Sequence, residues 1–122
     1  MLRALVLALT VAAGTPVGAD VQLLMIEQPG CACCARWDTE VAPVYPRTPE
    51  GQSAPLERVQ PKGPYPEDVA LGPAPVFTPT FILVRDGRES GRIEGYPGED
   101  FFWGLMARML ADAGEDPGKA AP

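Results

Sequence analysis

Two cysteines three positions apart, Cys31 and Cys34, follow directly on an apolar run, Val21 to Ile26. This junction constrains the fold more than any other stretch. The run reads as a buried strand, Val21 to Glu27, apolar enough to lie centrally in a sheet covered on both faces. Gln28-Pro29-Gly30 reads as a turn, and the residues from Cys31 onward as a helix reaching Val41 or Ala42. Pro43 cannot continue that ladder and marks its end. The unpaired N–H groups and the macrodipole at a helix N-terminus favour an anion, and the nucleophilic form of a cysteine is the thiolate. The i, i+3 spacing sets the second thiol one turn deeper on the same side, within disulfide reach. The pattern predicts a dithiol that opens and closes.

The cysteine count supports this. Three cysteines within four residues close no useful loop, whereas small stapled domains spread theirs along the chain. The sequence holds no histidine, which excludes Ser-His and Cys-His catalysis and the zinc sets that mix Cys with His. Met1-Leu2-Arg3, the apolar run Ala4 to Ala13 and the small residues Val17-Gly18-Ala19 predict a signal peptide over residues 1–19, cleaved before Asp20. The mature chain is then exported, most simply to a bacterial periplasm. Losing Arg3 moves the formal charge from −6 to −7, which argues against nucleic acid as a partner.

Further along, Cys34, Trp37 and Val41 recur at helical spacing and face a core, with Arg36, Asp38 and Glu40 turned outward. Pro43 to Pro75 holds nine of the fifteen prolines and reads as ordered loops anchored by Tyr45, Leu56, Val59 and Leu71. Within it Pro55 to Gln60 is the candidate second strand, and Glu67 to Leu71 a single helical turn. Val76 to Val84 is the strongest strand signal, Asp86-Gly87 a hairpin turn, and Glu89 to Tyr96 the returning strand. A helix follows from Glu99, with the stripe Phe101, Phe102, Leu105, Met106, Met109 and Leu110, stopping near Gly114. The expected fold class is α/β: a βαβ unit followed by ββα, giving a four-stranded mixed sheet with helices on both faces. The expected domain spans 20–114, and 115–122 is a disordered tail.

The Cys31-x-x-Cys34 motif, Thr78-Pro79 before a hairpin, the glycine-bearing turn and the amphipathic C-terminal helix resemble a thioredoxin-fold oxidoreductase over residues 21–113. Gln28 to Trp37, Tyr45-Pro46 with Glu50-Gly51, Phe77 to Phe81 and Gly95 to Trp103 further resemble the SoxS-type periplasmic thioredoxins of sulfur-oxidation (Sox) gene clusters. The resemblance implies that Cys31 is the attacking thiolate and Cys34 the resolving thiol. It implies that Pro79 is a cis-proline facing the dithiol, with the Thr78 backbone beside Cys31 for a substrate strand. It implies no cofactor, a membrane thiol donor of the CcdA/DsbD type, and the cysteine-bearing arm of the Sox carrier protein as substrate. A monomer is expected.

Three departures stand out. Gly30 replaces the usual aromatic before the first cysteine, leaving Cys31 less shielded. Met25 replaces the usual buried acid, and Glu27 is read as pointing away from the side Met25 occupies. The intervening dipeptide is Ala32-Cys33. Cys33 reads first as a small, half-buried apolar residue and second as an auxiliary thiol. Two other functions fit the cysteines: a Cu(I) chaperone using soft sulfur ligands, and a general disulfide oxidase or isomerase.

Overall fold

The computed structural model describes residues 20–117, so the expected signal peptide and the last five residues lie outside the described residues. The chain runs β1 (Val21–Ile26), α1 (Ala32–Glu40), a 3₁₀ turn (Tyr45–Arg47), α2 (Pro49–Ser53), β2 (Leu56–Val59), β3 (Thr80–Arg85), β4 (Arg88–Glu94) and α3 (Glu99–Asp112). The sheet order is β2-β1-β3-β4. β1 pairs with β2 in parallel, Met25 opposite Arg58, and with β3 antiparallel, Met25 opposite Phe81. β3 and β4 form a hairpin across Asp86-Gly87, with a register shift at Leu83/Val84. This is an α/β thioredoxin-type fold.

Alternation along β1 divides the core in two. Leu23 and Met25 face one side with Phe81, Leu83 and Ile93, where Trp37 and Val41 of α1 and Phe102, Met106, Met109 and Leu110 of α3 pack on them. Phe102 centres an aromatic cluster, with ring centroids 5.0 Å from Phe81, 5.3 Å from Trp103 and 5.8 Å from Trp37. Tilted and edge-on pairs of this kind add about 0.5–1.5 kcal/mol each beyond area burial. Leu24, Ile26, Val59, Ile82 and Val84 face the other side.

That second face departs from expectation. Both long helices pack on the first face, and the second is covered by the irregular segment 60–76 through Tyr65, Val69 and Leu71. The helical turn expected over Glu67 to Leu71 does not form. Asp68 takes a positive φ, and Ala70 instead bonds the hairpin, its N–H donating to the Gly87 carbonyl (2.7 Å) and its own carbonyl accepting from Glu89 (3.0 Å). The left-handed residue at Asp68 interrupts the run of right-handed dihedrals that a helical turn needs.

Two boundaries also move. β3 starts at Thr80, not Val76, because Pro79 has no N–H to donate to the ladder; Val76 (85 %) and Phe77 (58 %) are exposed. The proline-rich stretch after α1 contains helix: Thr48 caps α2, its Oγ1 accepting from the Gly51 N–H (3.0 Å), and Pro49 takes the first helical position. At the other end Glu115, expected to be frayed, donates its N–H to Leu110 (2.9 Å) and ion-pairs with Arg85 (3.2 Å).

Candidate redox site

β1 ends at Ile26, and Glu27 adds one more ladder bond, its N–H donating to the Val59 carbonyl (2.9 Å). The chain then turns through Gln28-Pro29-Gly30, with Gly30 at φ +79°, a conformation that suits glycine. This turn delivers Cys31 as the N-cap of α1 in extended conformation, its Sγ accepting from the Cys34 N–H (3.1 Å). Cys31 and Cys34 are joined in a disulfide with their Cα atoms 5.2 Å apart. Cys31 is partly exposed and Cys34 is only 4 % exposed. Opening the bond therefore places one accessible sulfur where helix N–H groups stabilise a thiolate, and keeps its partner inside.

The third thiol lies apart. Cys33 is free and exposed, not half-buried, because successive helical residues turn by about 100° and Cys34 takes the inward direction. Thr78 and Pro79 come to the junction through Gln28, whose Nε2 donates to Thr78 Oγ1 (3.3 Å). Pro79 is buried, the Thr78–Pro79 bond is cis, and the Pro79 carbonyl accepts from the Gly95 N–H (2.7 Å).

The loop after β4 is tied to α1. Tyr96 donates its hydroxyl to Glu40 (2.7 Å), and the Arg36 guanidinium sits 5.4 Å from the Tyr96 ring centroid while pairing with Glu40 (3.1 Å). The Tyr96 hydroxyl, with Arg36 behind it, holds the Glu40 carboxyl below its ordinary value. Burial, reinforced by Glu40, pushes Tyr96 up to about 12. Glu40 stays partly exposed, as an outward position should, but it is not unengaged.

Nor are Asp38 and Glu27. Arg58 of β2 donates from Nη1 to Glu27 (2.7 Å) and lies within 3.7 Å of the Met25 sulfur. Its Nη2 forms an ion pair with Asp38 at 2.8 Å, and its guanidinium sits 5.7 Å from the Trp37 ring centroid. The expectation that Glu27 points away from Met25 is wrong: residues two apart on a strand share a face, and one guanidinium reaches both. Glu27, Cys31, Cys34, Ala35, Asp38 and Gln60 line one cavity of about 570 Å³ beside the disulfide. Asp38 was detectable from its i, i+4 relation to Cys34; Arg58 joins only through the β1–β2 register. Among the described residues no group of three or more His, Cys, Asp and Glu side chains is arranged to hold a metal ion.

No protein-family model matches the chain, and no curated protein does. Among solved structures, the crystal structure of the periplasmic thioredoxin SoxS from Paracoccus pantotrophus, in its reduced form, matches with a TM-score of 0.75 and 54% sequence identity. The match covers 77% of this chain and 99% of that one. More than half the residues are shared across nearly the whole of that protein, and here the shared fold carries a Cys31–Cys34 disulfide at the entrance of its first helix. The chain belongs to the thioredoxin family of SoxS and is a thiol–disulfide oxidoreductase.

Proposed function

We propose that the protein works in the periplasm as a reductant that keeps the cysteine of a sulfur-oxidation carrier protein active. The observation that carries this reading is the asymmetry of the pair: Cys31 is accessible at a helix N-terminus and Cys34 is 4 % exposed. In this scheme the Cys31 thiolate attacks a substrate disulfide, one substrate sulfur leaves, and a mixed disulfide remains. Cys34 then attacks Cys31, the Cys31–Cys34 bond forms and the second substrate sulfur departs. Two electrons pass from dithiol to substrate, and two protons end on the substrate thiols.

Thr78 and Pro79 receive the substrate strand beside Cys31, supported by the Gln28–Thr78 bond that holds their loop to the cysteine turn. Cys33, exposed and unpaired with the other thiols, serves as an auxiliary thiol. Residues 1–19 act as a cleavable signal for the domain at 20–114, and 115–122 form its tail. An oxidising compartment requires that electrons be resupplied across the membrane, by a thiol donor of the CcdA/DsbD type. The description of the matched protein as a periplasmic thioredoxin supports the location, and its name supports the substrate class.

The test is Cys34→Ser expressed in the native compartment, followed by identification of what is covalently trapped on Cys31. A sulfur-carrier protein is the expected capture. A broad set of unrelated secreted proteins would replace this reading with a general oxidase or isomerase, and no capture at all would overturn the assignment of Cys31.

A further inference from the structure

Among the described residues β2 is an outer strand of the sheet, paired on one side only. Its ladder with β1 fixes which backbone groups the open side holds. The Leu23 N–H donates to the Pro55 carbonyl and the Glu27 N–H to the Val59 carbonyl, so Pro55, Glu57 and Val59 turn towards β1. Leu56 and Arg58 turn their N–H and C=O groups outward instead. An open row of this kind is a template for another extended chain. Beside it lies a second cavity, of about 610 Å³, lined by Leu56 and Arg58 of the strand with Ala42, Tyr45, Pro46 and Gln52. Main-chain bonds to a sheet edge, with a pocket for alternate side chains, are a general mode of peptide recognition.

A second copy of this chain does not suit that edge. Self-pairing in the register that uses both outward residues, Leu56 against Arg58, sets Glu57 directly opposite Glu57, where like charges repel. A chain with a lysine or arginine at that place is attracted. Glu57 stands in register with Leu24, so it is exposed on the sheet face away from the cavity, while Leu56 lies on the cavity's face. The strand also leads to the dithiol. Gln60, one residue past its end, lines the disulfide cavity together with Cys31. We propose that β2 is the docking edge for an extended segment of the protein whose disulfide is exchanged. The segment runs antiparallel, the more stable pairing, with its main chain bonded to Leu56 and Arg58. It sets an apolar side chain in the cavity and a lysine or arginine opposite Glu57.

The link to a redox partner rests on the exchange roles given to Cys31 and Cys34, and the experiment separates the two ideas. The probe is a capped peptide alternating valine and lysine, titrated into the protein with its disulfide closed and followed by amide NMR. Shifts should centre on Leu56 to Gln60, and the Leu56 and Arg58 amides should exchange more slowly with solvent. N-methylation of the valines, whose N–H groups face β2, should weaken binding about tenfold or more, whereas N-methylation of the lysines should not. Replacing lysine by glutamate should weaken it about fivefold, and Glu57→Lys should reverse that preference. Gln52→Trp, an exposed change that fills the cavity, should weaken binding of the valine peptide. An antiparallel segment brings its N-terminus to Gln60. A cysteine added there as an aryl mixed disulfide should therefore be reduced with a KM about tenfold below that of the aryl disulfide of free cysteine, and Glu57→Lys should remove the gain while leaving the free disulfide's rate unchanged. No shifts at β2, or equal binding by the valine-methylated peptide, overturns the docking edge and leaves the exchange scheme intact. Binding without the KM gain overturns the assignment of the docked chain as the redox partner. Failure of the reduced parent protein to cleave either disulfide overturns the exchange scheme itself.

Discussion

Two glycines that look alike in the sequence should respond to alanine in opposite ways. Gly51 is buried in α2, and a Cβ there falls well inside contact distance of the Tyr45 carbonyl oxygen. The obstacle is backbone, so no rotamer relieves it. Displacing it moves Tyr45, whose ring stacks on Trp103 at 6.0 Å and whose hydroxyl donates to the Ala54 carbonyl at 2.6 Å. Forced insertion into a packed site costs up to about 3 kcal/mol. Alanine's helix preference returns up to about 1 kcal/mol. Gly51→Ala should therefore lose about 2 kcal/mol. Gly104 is exposed in α3, and a Cβ added there meets nothing within 4 Å, so Gly104→Ala should gain about 0.5–1 kcal/mol. For a domain of this size that is a drop in Tm of about 8–16 °C for the first and a rise of a few degrees for the second. Thermal unfolding followed by circular dichroism, with the disulfide closed throughout, reads both. A Gly51→Ala protein that melts at or above the parent temperature would refute the packing argument, as would a destabilised Gly104→Ala.

Tyr45→Phe strands the buried Ala54 carbonyl and should cost about 1–3 kcal/mol in urea unfolding. Burial raises the Tyr45 hydroxyl above its ordinary value, so the bond persists across the neutral range. Phe102→Ala removes the centre of the aromatic cluster and should cost about 3–5 kcal/mol by the same measurement. Glu40 is lowered by Tyr96 and Arg36, and Glu89 by Arg92 and the Gly72 N–H. With folded values below the unfolded ones, their contribution is complete above about pH 4.5 and is lost as pH falls through the folded values. Tm should fall on acidification below that point, and Glu40→Gln should flatten part of the fall.

How much of this was legible in the sequence depends on the range of the forces involved. β1, the cysteine turn, the hairpin and α3 follow from local periodicity and turn residues, and the structure has them within a few positions. Thr48-Pro49 is a local helix-start signal too, but the density of prolines around it outweighed it. Glu27 is a different case: the period of two that puts it on the Met25 side is a local property, present in the sequence itself. Arg58 was not recoverable, because nothing in Leu56 to Val59 alone says which β1 residue it will sit opposite. The segment 60–76 was legible as an ordered loop anchored by Leu71, but not which sheet face it covers, since that face is built by strands far from it in sequence.

That segment has a consequence for redesign. The stretch that shields Leu24, Ile26, Ile82 and Val84 continues without a break into Val76, Phe77 and Thr78, the last of which is fastened to the cysteine turn by Gln28. Roof and doorway are one length of chain. Shortening the cover to tighten the sheet would drag Thr78 along the rim of the dithiol, and retuning the rim would loosen the cover.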